Sequence, residues 1–271
     1  MTTPAIELPH VSVALALRQT GALARRAVVN TLRFPQAWFP ALFFPLILMT
    51  IFTGSFGAAP GRLPGFPPVR GFLDFALAGA ILQGVLIGGT GAGAFFAADI
   101  EGGFLDRLVA SPVSRVAILT GRLAGGIVLA VIQALLFIGI AVAFGARVQG
   151  GVLGVLIVVV LAALLAVAVG GLGVMLALRT GSAEAVQGSF PLFFALMFFS
   201  SAFFPRETMT GWFKIVADLN PISHLVEGMR DQIVVGVDWR AAGIALVIVL
   251  ALGAITVGAS ARALTRRIAG G

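Results

Sequence analysis

The chain has 271 residues, of which 59% are hydrophobic and 11% charged, with a mean hydropathy of +1.07. A soluble domain carries about a quarter charged residues, so this composition points to an integral membrane protein. Absence of cysteine excludes disulfides and thiolate metal sites, and two histidines, His10 and His224, leave few imidazole ligands. The formal charge of +7 resides in arginines that flank apolar runs instead of clustering with stacking aromatics, so anionic headgroups, not nucleic acid, are the expected counter-charge.

In chain order, Glu7 and Pro9 precede an Arg-studded stretch, which is not the pattern of a cleavable signal. From Leu17, the residues Gly21, Ala24, Val28 and Leu32 recur at steps of three and four while Arg18, Arg25, Arg26 and Arg33 gather elsewhere. The spacing predicts an amphipathic helix over 8–34 on the cytoplasmic leaflet; the plainer reading is a basic flank that only sets orientation.

Six apolar runs at spanning length follow: 38–56, 75–98, 123–144, 152–178, 185–204 and 241–260. About 20 helical residues cross a hydrocarbon core of about 30 Å, and the runs lack the period-two alternation of barrel strands. The expected fold is therefore all-α, one polytopic transmembrane domain over 1–271 with six helices. Pro40 and Pro45 interrupt the first run, and the fifth is the weakest, being purely apolar only from Phe190 with Pro191 next. With both termini cytoplasmic, eleven basic residues lie inside and seven outside, the favoured bias.

Between the second and third runs sits a charged joint, 99–122. Phe104, Leu105, Leu108 and Val109 form an apolar stripe at helical steps, Asp106 and Arg107 point elsewhere, and Ser111-Pro112 ends the piece. A connector needs only four to six residues or so. A short amphipathic helix with Glu101 and Asp106 beside an apolar knob suits a groove on a soluble partner; lying in the headgroups is the alternative.

Phenylalanine concentrates in the first run (Phe39, Phe43, Phe44, Phe52, Phe56) and the fifth (Phe190, Phe193, Phe194, Phe198, Phe199). These rings either line a route for a flat apolar ligand or face lipid and neighbouring helices. Gly84 with Gly88, Gly89 with Gly93, and Gly170, Gly171 and Gly173 permit close helix approach. Asp74 sits at an outer edge, and Gln83 and Gln133 are the main polar side chains within spans, which weighs against an ion-gradient carrier and against a membrane enzyme. Residues 205–240 are long for a structureless loop and predict half-helices dipping into the outer leaflet, broken at Asn220-Pro221. His224, Glu227 and Asp231 at helical spacing read as ordinary helix surface rather than a metal site.

The joint's Asp99, Glu101, Gly103, Phe104, Leu105, Asp106, Arg107, Leu108, Ser111, Pro112, Gly121 and Arg122 resemble the coupling segment of type-2 ABC (ABC-2 type) export permeases, especially their drug-resistance branch. The stretch 190–231 resembles that family's signature region, with Pro191, Ser200, Ser201, Pro205, Met209, Trp212, Asn220, Pro221, Glu227 and Arg230 in place. Thr210-Gly211 replaces the usual Pro after Met, and Asp99-Ile100-Glu101 replaces a Glu-Arg pair.

The resemblance implies a bacterial inner-membrane exporter subunit that pairs with a second permease copy and is driven by two copies of an ATPase subunit. Coupling would fall to Asp99, Glu101, Gly103, Phe104, Leu105, Asp106, Arg107, Leu108 and Pro112. A substrate path would run past Phe43, Phe44, Phe193, Phe194, Phe198 and Phe199, closed outside by Pro205, Trp212, Asn220 and Pro221. The cargo is then an amphipathic or hydrophobic compound, or alternatively a glycolipid or polysaccharide lipid. ATP and Mg2+ belong to the partner, because the sole lysine, Lys214 in WFKIV, stands in no phosphate-binding loop.

Overall fold

The structure is a computed structural model that describes residues 13–62, 66–67, 69–111 and 113–269. Eleven α-helices are present among the described residues, and no strand. They are α1 (Val13–Arg33), α2 (Pro35–Phe56), α3 (Phe72–Glu101), α4 (Phe104–Val109), α5 (Arg115–Ala143), α6 (Gly151–Thr180), α7 (Ala183–Gln187), α8 (Phe190–Phe198), α9 (Gly211–Leu219), α10 (Pro221–Val234) and α11 (Trp239–Ala269).

Five helices are long and apolar enough to cross a membrane: α2 from Trp38, α3, α5, α6 and α11. All five are longer than the apolar runs that foreshadow them. The helix over 75–98 extends to Phe72 and Glu101, so Asp99 and Glu101 ride on its last turn instead of in a loop. Likewise α5 starts at Arg115, where Ser114 caps it by accepting the Ala117 amide, and carries Arg122 on its third turn. Charged residues at a helix end need no break in the helix when the end stands beyond the hydrocarbon.

The fifth run departs from expectation. Instead of one helix over 185–204, the chain folds as α7 and α8, joined at Gly188–Ser189, with turns from Phe199 onward. Pro191 lies in the first turn of α8, where its missing amide costs nothing; within a continuous helix it would remove a bond to residue 187. At 1.5 Å per residue the nine residues of α8 reach about 14 Å, roughly half a bilayer core. By contrast, Pro40 and Pro45 are absorbed inside an unbroken α2, on the bundle's periphery.

The most hydrophobic stretch of α3 is 83% buried, against 17% for α2 and 22% for α11, so α3 is the central post of the bundle. Leu77, Ile81, Leu82 and Val85 of α3 meet Ala134 and Phe137 of α5, Leu161 and Leu165 of α6, and Leu225, Met229 and Ile233 of α10 in one apolar core. Exposed apolar side chains ring the outside, among them Val152, Leu156, Val160, Val247 and Ile255, as a lipid solvent allows. Helices α3 and α6 approach backbone to backbone: a Cβ added at Gly93 would stand 2.6 Å from the Gly173 Cα. The glycine sets in the sequence thus serve packing within this chain.

Helix α1 lies against the inner part of α5, with Leu23 and Ala24 over Gly121 and Ala27 and Thr31 over Gly125. That packed face shares only Ala24 with the expected stripe; Gly21 and Leu32 are exposed, as are Leu15 and Leu17. The small residues pack because the α5 glycines let the backbones approach, and the large ones are left for the bilayer interface.

Replacing Gly93 by Val forces α3 and α6 apart. A fall in the thermal midpoint of the detergent-solubilised protein, equivalent to about 1–3 kcal/mol of overpacking, is the expected outcome.

Candidate functional site: an inner elbow, a lateral cavity and an outer cap

At the inner end of α3, Asp99 is the hub. Its carboxylate accepts from Arg26 of α1 (Nη2 to Oδ1, 3.0 Å; Nη1 to Oδ2, 3.3 Å) and pairs with Arg122 of α5 (Nη1 to Oδ2, 2.9 Å). One carboxylate therefore ties three helices. The Arg26 guanidinium also lies 3.7 Å from the Phe104 ring centroid, carrying the knot onto α4. Glu101 accepts the Ala183 amide at 3.0 Å, linking the end of α3 to the start of α7.

Gly103 opens α4 with φ +65°, a left-handed turn that folds the chain back sharply. The apolar stripe of α4 then turns inward. Leu105 is buried among Phe96, Ile118, Leu119, Leu123 and Val174, with Leu108 and Val109 packed alongside, because a six-residue helix has no stability without a core. On the exposed side of the elbow stand Glu101, Asp106 and Arg107, with Arg115 beyond them. Arg107 folds back onto the Gly103 and Gly102 carbonyls, and Gln19 of α1 accepts the Ser114 amide. Pro112 lies outside the described residues.

The aromatic residues separate into several groups. Phe44 meets Phe194 at 6.0 Å between centroids, and Phe194 continues to Phe190 and Phe198. Phe43 instead stacks on Phe39, Phe193 is in the core, and Phe199 reaches Trp212 and Phe213 of α9. Below the Phe44–Phe194 contact a cavity of about 720 Å3 opens between α2, α3 and α7–α8. Phe34, Gln36, Pro40 and Phe44 form one wall, Ile87, Thr90, Gly91, Ala94, Phe95 and Ala98 the next, and Ala183, Gln187 and Phe190 the third. Of the expected path residues only Phe44 lines it. The α3 wall was signalled by its spacing, 87, 90, 91, 94 and 98, a helical face of mostly small residues.

At the other end of the bundle, α9 and α10 meet at Asn220. Its Oδ1 accepts the Ile222 amide, and its Nδ2 donates to the Leu196 and Phe199 carbonyls at 2.6 and 2.9 Å, fastening the cap to the end of α8. Pro221 follows at the first helical position, the Pro205 carbonyl accepts from Thr208, and Trp212 is exposed. Arg206 joins Asp218 at 3.3 Å, His224 at 3.3 Å and Glu227, so this arginine fills the space among the acids and the histidine. Its position 12 to 21 residues from its partners left no periodic trace in the sequence.

Arg230 is fully buried. It stacks on Phe75 at 3.7 Å and donates to the carbonyls of Phe75, Ser201 and Ala202, while burial pushes its guanidinium down to about 10. Next to it, Asp231 is raised from 3.8 to about 6, first by burial and then by the Glu227 carboxylate, against the opposing pull of Arg230.

The fold is a bundle of helices long and apolar enough to cross a membrane, with an elbow at one end, a lateral cavity and a two-helix cap at the other, the architecture of a multi-pass membrane protein. The chain belongs to the ABC-2 type transporter family, whose profile matches residues 18–234. It is thus a permease of an ABC transporter, and membership implies an ABC ATPase partner. It is 28% identical to the daunorubicin resistance ABC transporter permease protein DrrB1 of Streptomyces coeruleorubidus, over 76% of this chain and 71% of the relative. It is also 28% identical to the putative transport permease ycf38 of Porphyra purpurea, over 86% and 80%, and 26% identical to that of Cyanophora paradoxa, over 77% and 71%.

Substituting Asp99 by Asn strands Arg122, whose side chain is only 8% exposed, and costs about 3 kcal/mol. Faster hydrogen exchange in α1 than in α6 reports it. At the cap, the folded state holds the Asp231 proton more tightly than the unfolded chain does. The stability this confers is complete below pH 3.8, shrinks as pH rises through about 6 and is lost above. Exchange of α10 amides, corrected for intrinsic rate, is expected to quicken across that window and to become flat in Asp231→Asn.

Proposed function

We propose that this chain is the membrane half of an ATP-driven exporter, working as a homodimer in a bacterial inner membrane with both termini cytoplasmic. Two copies of a separate ATPase subunit bind ATP and Mg2+ and dock on the polar face of Glu101, Asp106 and Arg107. The observation that carries this reading is the inward-turned stripe of α4. A push on its exposed side is delivered through Leu105 into the inner ends of α3, α5 and α6. Asp99 passes the same displacement to α1.

The cavity is the proposed loading site. Its lining has no charged side chain and offers Gln36, Thr90 and Gln187 as polar points, which supports an amphipathic or hydrophobic cargo of the class named for the Streptomyces relative. The exposed Phe39, Phe43 and Ile47 of α2 and Leu192 and Leu196 of α8 form the face for the second permease copy. ATP-driven tilting of α3 and α5 changes access to the cavity, and the cap of α9 and α10 closes the outer end.

Reconstitution with the cognate ATPase in liposomes tests this. Export of an amphipathic dye is expected only with ATPase and ATP, and the charge reversal Asp106→Arg with Arg107→Glu is expected to weaken coupled transport about tenfold, or about 1.4 kcal/mol of docking energy. Dye movement by the permease alone under an ion gradient overturns the reading.

A further inference from the structure

Helices α6 and α11 run parallel and end together. Ser260 Oγ donates to the Gly171 carbonyl at 2.6 Å, and two turns further on Arg267 Nη1 donates to the Leu178 carbonyl at 3.3 Å. The apolar stretch of α11 stops at Ser260, level with Gly171, and that of α6 runs about two turns further to Leu178, which Arg267 reaches, so the arginine-bearing last turns of α11 lie beside the apolar end of α6. There lies a cavity of about 460 Å3 lined by Arg179, Arg262, Arg266 and Arg267 over a floor of Leu178, Ala259 and Ala263.

Among the described residues none of these four guanidiniums meets a carboxylate within salt-bridge distance. One donor of Arg267 serves the Leu178 carbonyl. The excess of cytoplasmic arginine accounts for the side of the membrane, and the helix dipoles favour cations at these C-termini. Neither accounts for cations from two helices converging on one gap with an apolar floor. Four like charges at that separation repel, and a bound anion reverses the sign of the interaction. Arginine presents a planar fork that takes phosphate oxygens in pairs, and basic pockets between helices on the cytoplasmic side take anionic headgroups.

We propose that this cavity binds the phosphate of an anionic phospholipid, with the glycerol end of the lipid on the Leu178–Ala263 floor. The cavity shares no lining residue with α4 or with the lateral cavity. A bound lipid cross-links the inner ends of α6 and α11 through its phosphate.

The test uses the full chain in nanodiscs of phosphatidylcholine with a minor fraction of phosphatidylglycerol, followed by native mass spectrometry of the lipid that stays bound. Retained phosphatidylglycerol is expected, with affinity about ten- to thirtyfold lower in Arg179→Gln with Arg266→Gln. Arg18→Gln with Arg25→Gln, exposed on α1, is expected to retain it fully. Undiminished retention in the first variant overturns the proposal, and so does equal loss in the second, which marks diffuse surface attraction. A parallel titration with inorganic phosphate separates the sources: a site that takes free phosphate but not phosphatidylglycerol overturns the lipid assignment. The four arginines are solvent-exposed or at the boundary, and matching thermal midpoints show that the variants are folded.

Discussion

One carboxylate sets the geometry of the inner half of the molecule. Asp99 sits between two guanidiniums from different helices, on the last turn of α3. Buried lone charges are costly, and the arrangement holds because one carboxylate serves both guanidiniums while the surplus positive charge leans on the Phe104 and Phe95 rings. The position of α1, the exit of α3 and the entry of α5 all follow. So does the placement of α4, since the turn at Gly102–Gly103 leaves that short helix nowhere to lie but on the floor the knot has made.

The two ends of the bundle solve the same problem by different means. At the elbow, the buried Arg122 is paired with a side chain. At the cap, Arg206 is paired with Asp218 and Glu227, but the buried Arg230 has only carbonyl oxygens and an aromatic face, and Asn220 uses both ends of its amide on backbone. Backbone acceptors become available there because α8 ends after nine residues, and the turns beyond it leave carbonyls without helical donors. The short α8 and the polar cap are therefore one structural feature: the first exposes the groups that the second satisfies.

Much of this was legible in the sequence. Lengths of apolar runs gave α2, α3, α5, α6 and α11, and the Asn-Pro pair marked the break between α9 and α10. Gly93 and Gly173 were recognisable as contact points, though not as contacts with each other. What escaped is what depends on depth and on partners distant in the chain. The apolar stripe of α4 has the same periodicity whether it faces a foreign groove or its own core, and only the position of α5 and α6 decides. The fifth run was already the weakest, purely apolar only from Phe190, but its length left open whether Pro191 and its neighbours would divide it into two pieces. Arg26 and Arg206 looked like orientation charges until the fold placed acids beside them.

Where Gly93 meets Gly173, α3 and α6 have no intervening side chains that could act as ball bearings. Backbones in such contact do not slide or roll past one another without losing it, so the pair behaves mechanically as a single beam. A force applied at the elbow is then felt at the far end of α6 without slack. Flexing is then concentrated in the joints between helices, among them Gly102–Gly103 and Gly188–Ser189.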